Sequence, residues 1–310
     1  MALCFVTRQL PGPALDQLRA AHDVEVWTER LPPPPAELRA RGARADGLLT
    51  LLSDRVDAEL LDHCPRLKAI SNYAVGYDNI DLEAATSRGI RVGNTPEVLT
   101  DATADLAFAL LLAAARMLPQ AIESVRVGDW LTWEPGHPLG HEVHGATLGI
   151  VGLGRIGRAV AQRAQGFEMT VLHTRTSMST GEPLELLLEQ SDFVSLHCPL
   201  TPQTHHLIDR AALAQMRPNA ILINTARGQI VDHAALREAL TDGTIGGAAL
   251  DVTDPEPLPA GHPLRSAPNL IVTPHIGSAT RVARERMTQL AVDNLLAGLE
   301  DRQMPHQVNR

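Results

Sequence analysis

The chain has 310 residues, 44% of them apolar and 20% charged, with a formal net charge of −9. That length accommodates two domains of ordinary size, and the balance is that of a folded globular protein rather than a disordered one. An acidic chain lacks the basic face that nucleic acid demands, so a nucleic-acid partner is not expected, and an anionic ligand must be met by a few local arginines.

In chain order, residues 1–7 lack a basic, extended apolar leader, which predicts no signal peptide. Residues 3–6, 47–52, 67–71 and 90–92 read as buried strands. Residues 13–21, 56–62 and 81–87 read as helices, and 32–35 as a turn or extended surface segment. Strand–helix alternation implies a parallel sheet covered on both faces. A helix is predicted over 100–118. Thr100 or Asp101 caps it, alanine and leucine fill it, and Pro119 stops it. It is apolar on nearly all sides, so it belongs between domains or subunits. The longest apolar run, 106–115, is half of the about 20 residues a bilayer span needs, so no membrane insertion is expected. Residues 128–144, rich in Trp, Pro, Gly and His, read as a long loop.

A second alternating series starts at Thr147. Strands are predicted at 147–152, 169–173, 192–197, 220–225, 246–251 and 269–273, and helices at 156–166, 183–190, 209–216, 232–241 and 281–299. The simplest architecture is α/β with two doubly wound parallel-sheet domains and ligand expected in the cleft between them. Cys4, Cys64 and Cys198 are odd in number, far apart and in no metal-binding spacing. They read as structural thiols of a reducing, cytoplasmic compartment, and the histidines, including His205 and His206, give no metal spacing either.

The strand at 147 runs into Gly152-Leu153-Gly154-Arg155-Ile156-Gly157 and then a helix. This is G-x-G-x-x-G in its confirming context: the first glycine for the tight turn, the second for backbone approach to a pyrophosphate, the third for helix–strand packing. The helix N-terminus offers free N–H groups to the phosphates. An NAD-specific site usually ends its second strand on Asp or Glu. This chain has Thr174, Arg175 and Thr176 there instead, a guanidinium with hydroxyls, which suits a 2′-phosphate. NADPH is therefore the preferred cofactor, with NADH second.

Three polar residues follow three predicted strands: Arg227, Glu256 and His275. Ligands of open α/β sheets sit outside the carboxyl ends of strands. Reduction of a 2-keto acid needs a proton for the carbonyl oxygen and a clamp for the carboxylate. Arg227 supplies paired N–H donors, His275 a proton near neutrality, and Glu256 a partner for the other ring nitrogen.

These motifs carry a family likeness. Residues 72–79 (NYAVGYDN), 151–157 (VGLGRIG), 224–228 (NTARG), 250–258 (LDVTDPEPL) and 274–280 (PHIGSAT) resemble the D-isomer-specific 2-hydroxyacid dehydrogenases, most of all their glyoxylate/hydroxypyruvate reductase group. The resemblance implies Arg227, Glu256 and His275 as the catalytic set. It implies that Val75 and Gly76 offer backbone N–H groups to the substrate carboxylate, with Ser278 on the substrate side. It also implies Pro199, Thr225, Ala226, Asp251 and Gly277 around the cofactor. The fold it implies is a Rossmann cofactor domain (99–280) inserted in a flavodoxin-like substrate domain (1–98 with 281–310). A homodimer is implied as well, joined through the cofactor domain, with Trp130 or Trp133 as candidates to reach the partner's active site. The stretch between Ser177 and Glu185 is shorter than is usual in the family. Two rival readings share the scaffold, a D-3-phosphoglycerate dehydrogenase and a dinucleotide-sensing corepressor; phosphite oxidation is a more distant variant.

Overall fold

A computed structural model describes residues 1–136, 139–174 and 181–309. The chain forms two compact units, Met1–Leu99 with Ser278–Arg310, and Thr100–Gly277.

The first unit runs β1 (Leu3–Val6), α1 (Ala14–Ala21), β2 (Asp23–Val26), α2 (Pro35–Gly42), β3 (Gly47–Thr50), α3 (Ala58–Asp62), β4 (Ala69–Asn72), α4 (Leu82–Ser87) and β5 (Arg91–Gly93). Its five strands are parallel in the order β2-β1-β3-β4-β5, so the winding reverses between β1 and β3. β3 and β4 are buried along their whole length, as strands covered on both faces must be. Asp57 and Asp81 cap α3 and α4 by accepting from Leu60 N and Ala84 N, each worth about 1 kcal/mol. The tail pairs with β5: Val92 N donates to Asn309 Oδ1, and Asn309 Nδ2 donates to Ile90 O, both at 2.8 Å.

The second unit holds α5 (Thr100–Ala115), α6 (Leu118–Val127), β6 (Thr147–Val151), α7 (Arg155–Gln165), β7 (Thr170–Thr174), α8 (Leu184–Gln190), β8 (Phe193–Leu196), α9 (Arg210–Gln215), β9 (Ile221–Asn224), α10 (His233–Thr241), β10 (Gly247–Leu250) and β11 (Leu270–Val272); α11 (Arg281–Leu299) returns to the first unit. Six parallel strands lie in the order β7-β6-β8-β9-β10-β11, with the switch point between β6 and β8. One core cluster, including Leu196, Leu222 and Leu250, fills one face. The other, including Leu111, Ile150 and Ile223, packs under α5 and α7. Among the described residues no single helix is long and apolar enough to cross a membrane.

Three elements, β2, α2 and α6, stand where the sequence reading assigned none. β2 is a half-exposed edge strand whose residues, Asp-Val-Glu-Val, make no apolar run. α2 buries only Leu38 and Gly42, and Pro35 opens it because a fixed φ suits the first helical turn. The expected helix over 100–118 is also corrected. α5 ends at Ala115, Met117 sits in the left-handed region at φ 51°, and Pro119 lies in the first turn of α6. Proline there starts a helix rather than stopping one, because its missing N–H has no intrahelical partner to lose. The remaining elements fall within two residues of their expected bounds.

Candidate active site

The dinucleotide loop is shaped by contacts that only glycine permits. Gly152 has φ 96°, and a Cβ there would lie 2.6 Å from Cys198 N. A Cβ on Gly157 would lie 2.3 Å from Gly152 O, so helix and turn are in direct backbone contact. At Gly154 a Cβ would meet nothing within 4 Å, so there is open space beside the backbone, enough for a pyrophosphate to approach. Gly154 is also the N-cap of α7 and makes no side-chain cap bond. Arg155, Ile156 and Gly157 form the first turn, whose N–H groups have no intrahelical acceptors, and no acidic residue stands among them. Thr225, after β9, buries an Oγ1 with no partner among the described residues. A cradle of this shape, a helix N-terminus with no acidic residue in its first turn and an orphaned buried hydroxyl together fit a dinucleotide. Thr174 ends β7; Arg175 and Thr176 lie outside the described residues. Pro199 follows β8, exposed, and its carbonyl accepts from Thr204 Oγ1 at 2.7 Å.

Three loops at the carboxyl ends of β9, β10 and β11 pack in series. After β9, buried Asn224 folds the chain into a tight turn: its Oδ1 accepts from Ala226 N (3.0 Å) and its Nδ2 donates to Arg227 O (2.8 Å). Arg227 follows in extended backbone, half-buried, and its Nη1 donates to Ala226 O at 2.8 Å. A Cβ on the next residue, Gly228, would lie 2.1 Å from the Thr253 carbonyl, so this loop abuts the β10 loop directly. In that second loop Thr253 N donates to Glu256 Oε2 (3.3 Å), which aims the carboxylate. Glu256 Oε1 then accepts from His275 Nδ1 at 2.5 Å.

His275 stands in the left-handed region at φ 53°, an expensive conformation for a ring-bearing residue. Asp251, 1% exposed, holds it there. Its backbone carbonyl accepts from His275 N (2.9 Å). Its carboxylate accepts from Thr273 Oγ1 (2.6 Å), Ile276 N (2.8 Å) and Gly277 N (2.7 Å). A side chain on Gly277 would crowd that carboxylate. With Nδ1 set against Glu256, the Nε2 edge of the ring has no protein partner among the described residues. Sequence reasoning put Asp251 beside the cofactor but missed that its oxygens all bind the histidine turn. It also missed His233, buried, whose ring bonds the backbone of Asp254 at 3.0 Å, and the turn-forming Asn224. The available signal was position: Asp251 and Asn224 each end an apolar strand directly before a short polar loop. Val75, Gly76 and Ser278 belong to the first unit, Val75 and Gly76 in the loop after β4 and Ser278 two residues before the cap of α11.

Residues 108–277 match the D-isomer specific 2-hydroxyacid dehydrogenase, NAD binding domain. Over 319 residues the chain is 49% identical to a glyoxylate reductase of Thermococcus litoralis, covering 99% of this chain and 96% of that protein. The chain belongs to the D-isomer specific 2-hydroxyacid dehydrogenase family. Among solved structures of similar fold, a Thermus thermophilus protein superposes with a TM-score of 0.93 at 52% identity, covering 99% of both chains. An NADPH-dependent glyoxylate/hydroxypyruvate reductase of Sinorhizobium meliloti, solved with NADP and malonate, gives 0.87 at 34% identity, covering 99% of this chain and 96% of that one. As a D-2-hydroxyacid dehydrogenase, the chain is an oxidoreductase that uses a nicotinamide dinucleotide on a small 2-keto or 2-hydroxy acid.

Proposed function

We propose that this D-2-hydroxyacid dehydrogenase is a cytoplasmic reductase of glyoxylate and hydroxypyruvate that prefers NADPH and accepts NADH second. The observation that carries the reading is the His275–Glu256 pair, seated on the unit that bears the dinucleotide cradle. The reduced nicotinamide, when bound, supplies the hydride. The chain's residues do the rest. His275 Nε2 gives its proton to the carbonyl oxygen as charge builds there, and Glu256 stabilises the protonated ring and fixes its plane. Arg227 faces the developing oxyanion with its guanidinium and polarises the carbonyl. The N–H groups of Val75 and Gly76 take the substrate carboxylate, with the Ser278 hydroxyl on the substrate side.

Gly152, Gly154, Arg155, Ile156 and Gly157 hold the pyrophosphate. Thr174, Arg175 and Thr176 read the 2′-phosphate, and no carboxylate within β7 opposes it. Pro199, Thr225, Ala226, Asp251 and Gly277 line the nicotinamide side. A homodimer is supported by the exposed apolar side chains Leu118, Ile122, Val125, Trp130, Leu131 and Trp133 on α6 and the loop after it.

The test is a steady-state comparison of glyoxylate, hydroxypyruvate, pyruvate and phosphohydroxypyruvate, each with NADPH and NADH. The highest kcat/KM should fall on glyoxylate or hydroxypyruvate with NADPH. Preference for phosphohydroxypyruvate would point to the phosphoglycerate rival, and cofactor binding without turnover of any of the four to the corepressor.

A further inference from the structure

The loop after β4 turns its carbonyls one way. Ala74 O accepts from Thr95 N (2.9 Å), Val75 O from Asn94 Nδ2 (2.7 Å), and Gly76 O from Asn72 Nδ2 (2.9 Å). The donors have a common origin. β4 and β5 are parallel neighbours with Ser71 opposite Gly93, so the next rung sets Asn72 beside Asn94 at the carboxyl ends. Three successive carbonyls are thus drawn down onto two strand ends. A trans peptide keeps C=O and N–H antiparallel, so the N–H groups of Val75, Gly76 and Tyr77 face away from those strands. Among the described residues no backbone or side-chain acceptor is placed against any of the three.

We propose that Asn72 and Asn94 are positioning residues for the substrate carboxylate, acting through this row of N–H groups, and that Tyr77 N–H is a third donor beside those of Val75 and Gly76. The inference rests on the reading above that the 2-keto acid sets its carboxylate against Val75 and Gly76. The side-chain type follows from the hydrogen bonds. Asn72 is fully buried; its Oδ1 accepts from Thr50 Oγ1 (3.1 Å), while its Nδ2 also donates to Asn79 Oδ1 (3.0 Å), so the amide orientation is fixed. Asn79 Nδ2 in turn donates to Leu51 O (3.1 Å) and Asp54 O (2.9 Å), tying the far end of the loop to the β3 end. Asn94 is held from behind, where its carbonyl accepts from Asn294 Nδ2 of α11 at 2.8 Å. An aspartate at either position would set a carboxylate against a backbone carbonyl and place negative charge behind the bound anion. Aspartate and alanine should therefore differ in effect, which a role limited to filling space does not require.

The experiment uses the full chain loaded with NADPH and oxalate as the probe, a planar dicarboxylate that cannot be reduced here. Calorimetry gives the oxalate Kd for wild type, Asn94→Ala, Asn94→Asp and Asn72→Ser, the last keeping a hydroxyl donor in the buried position. Kinetics with glyoxylate and an NADPH titration accompany it. Asn94→Ala should raise the oxalate Kd and the glyoxylate KM about tenfold, and Asn94→Asp more. Asn72→Ser should fall between wild type and Asn94→Ala. kcat should change less than about threefold, and the NADPH Kd less than about twofold, because the cofactor cradle lies in the other unit. Oxalate Kd values within about twofold of wild type in both Asn94 variants overturn the inference. So does a parallel loss of NADPH and oxalate binding in all three variants, the pattern of general misfolding. Failure of the substrate reading looks different: wild type then binds oxalate and the variants lose it, but glyoxylate is not turned over.

Discussion

Replacing Asp251 with asparagine removes one charge and one acceptor without changing volume, in a group that is 1% exposed. Oδ1 serves both Ile276 N and Thr273 Oγ1, whereas Oδ2 serves Gly277 N alone. The amide nitrogen will therefore take the Oδ2 place, keeping two bonds and setting its own N–H groups against that of Gly277. One charge-assisted bond is lost and buried donors are left facing each other, together about 2–4 kcal/mol. The left-handed backbone at His275 stores about 1–3 kcal/mol of strain, and the turn beside it then relaxes toward ordinary φ. The ring moves off Glu256, and proton donation, worth about 10²–10⁴ in rate, is impaired. Asp251→Asn should lower kcat by about a hundredfold at saturating cofactor and lower Tm by about 5–10 °C. Steady-state kinetics and a thermal melt measure both. A kcat within about threefold of wild type with an unchanged Tm would refute the assignment of Asp251 as the clamp on the histidine turn.

Glu256→Gln keeps an acceptor for His275 Nδ1 but not the charge, so kcat should fall about 10- to 100-fold with a smaller change in KM; a raised KM with kcat unchanged would mean that Glu256 acts in binding alone. Gly157→Ala sets a methyl group 2.3 Å from Gly152 O and should push α7 off the turn. Cofactor affinity, read by fluorescence titration, should drop at least tenfold, and wild-type affinity would contradict the close packing. Desolvation pulls the His197 ring down to about 4 from the ordinary 6.5. The unfolded chain then takes up the proton first on acidification. The stability from this group is complete above about pH 6.5 and is lost as pH falls toward about 4, by up to about 3 kcal/mol. His197→Gln, which retains a partner for Ser195 Oγ, should flatten that part of the profile in urea melts at pH 7 and 4.5; an unaltered slope would remove His197 as the source.

What could be read in advance followed from chemistry that forces residue type at fixed spacing. Gly152, Gly154 and Gly157 were legible because two of them allow backbone contacts closer than any Cβ permits and the third leaves room for phosphate. Arg227, Glu256 and His275 were legible because each stands just beyond an apolar strand, where open sheets present ligands. β2, α2 and α6 were not, because each buries too little to leave a periodic apolar trace. Pro119 misled because a proline suits both the residues just past a helix and the first turn of the next, and only the left-handed Met117 decides which. Asn72, Asn94, Asn224 and Asp251 act on backbone atoms whose positions depend on strands far off in sequence, so their roles appear only once the sheets are assembled.

Residues 100–277 are contiguous and close the second unit without help from elsewhere, whereas the first unit waits for α11 and for Asn309 to reach Ile90 and Val92. The second unit is thus one stretch of chain, whereas the first is split by it and closed only by the segment that follows it. Deleting 306–309 would strip β5 of its tail and leave the nucleotide-binding half intact. Loss of that tail would therefore be felt in the first unit before the second.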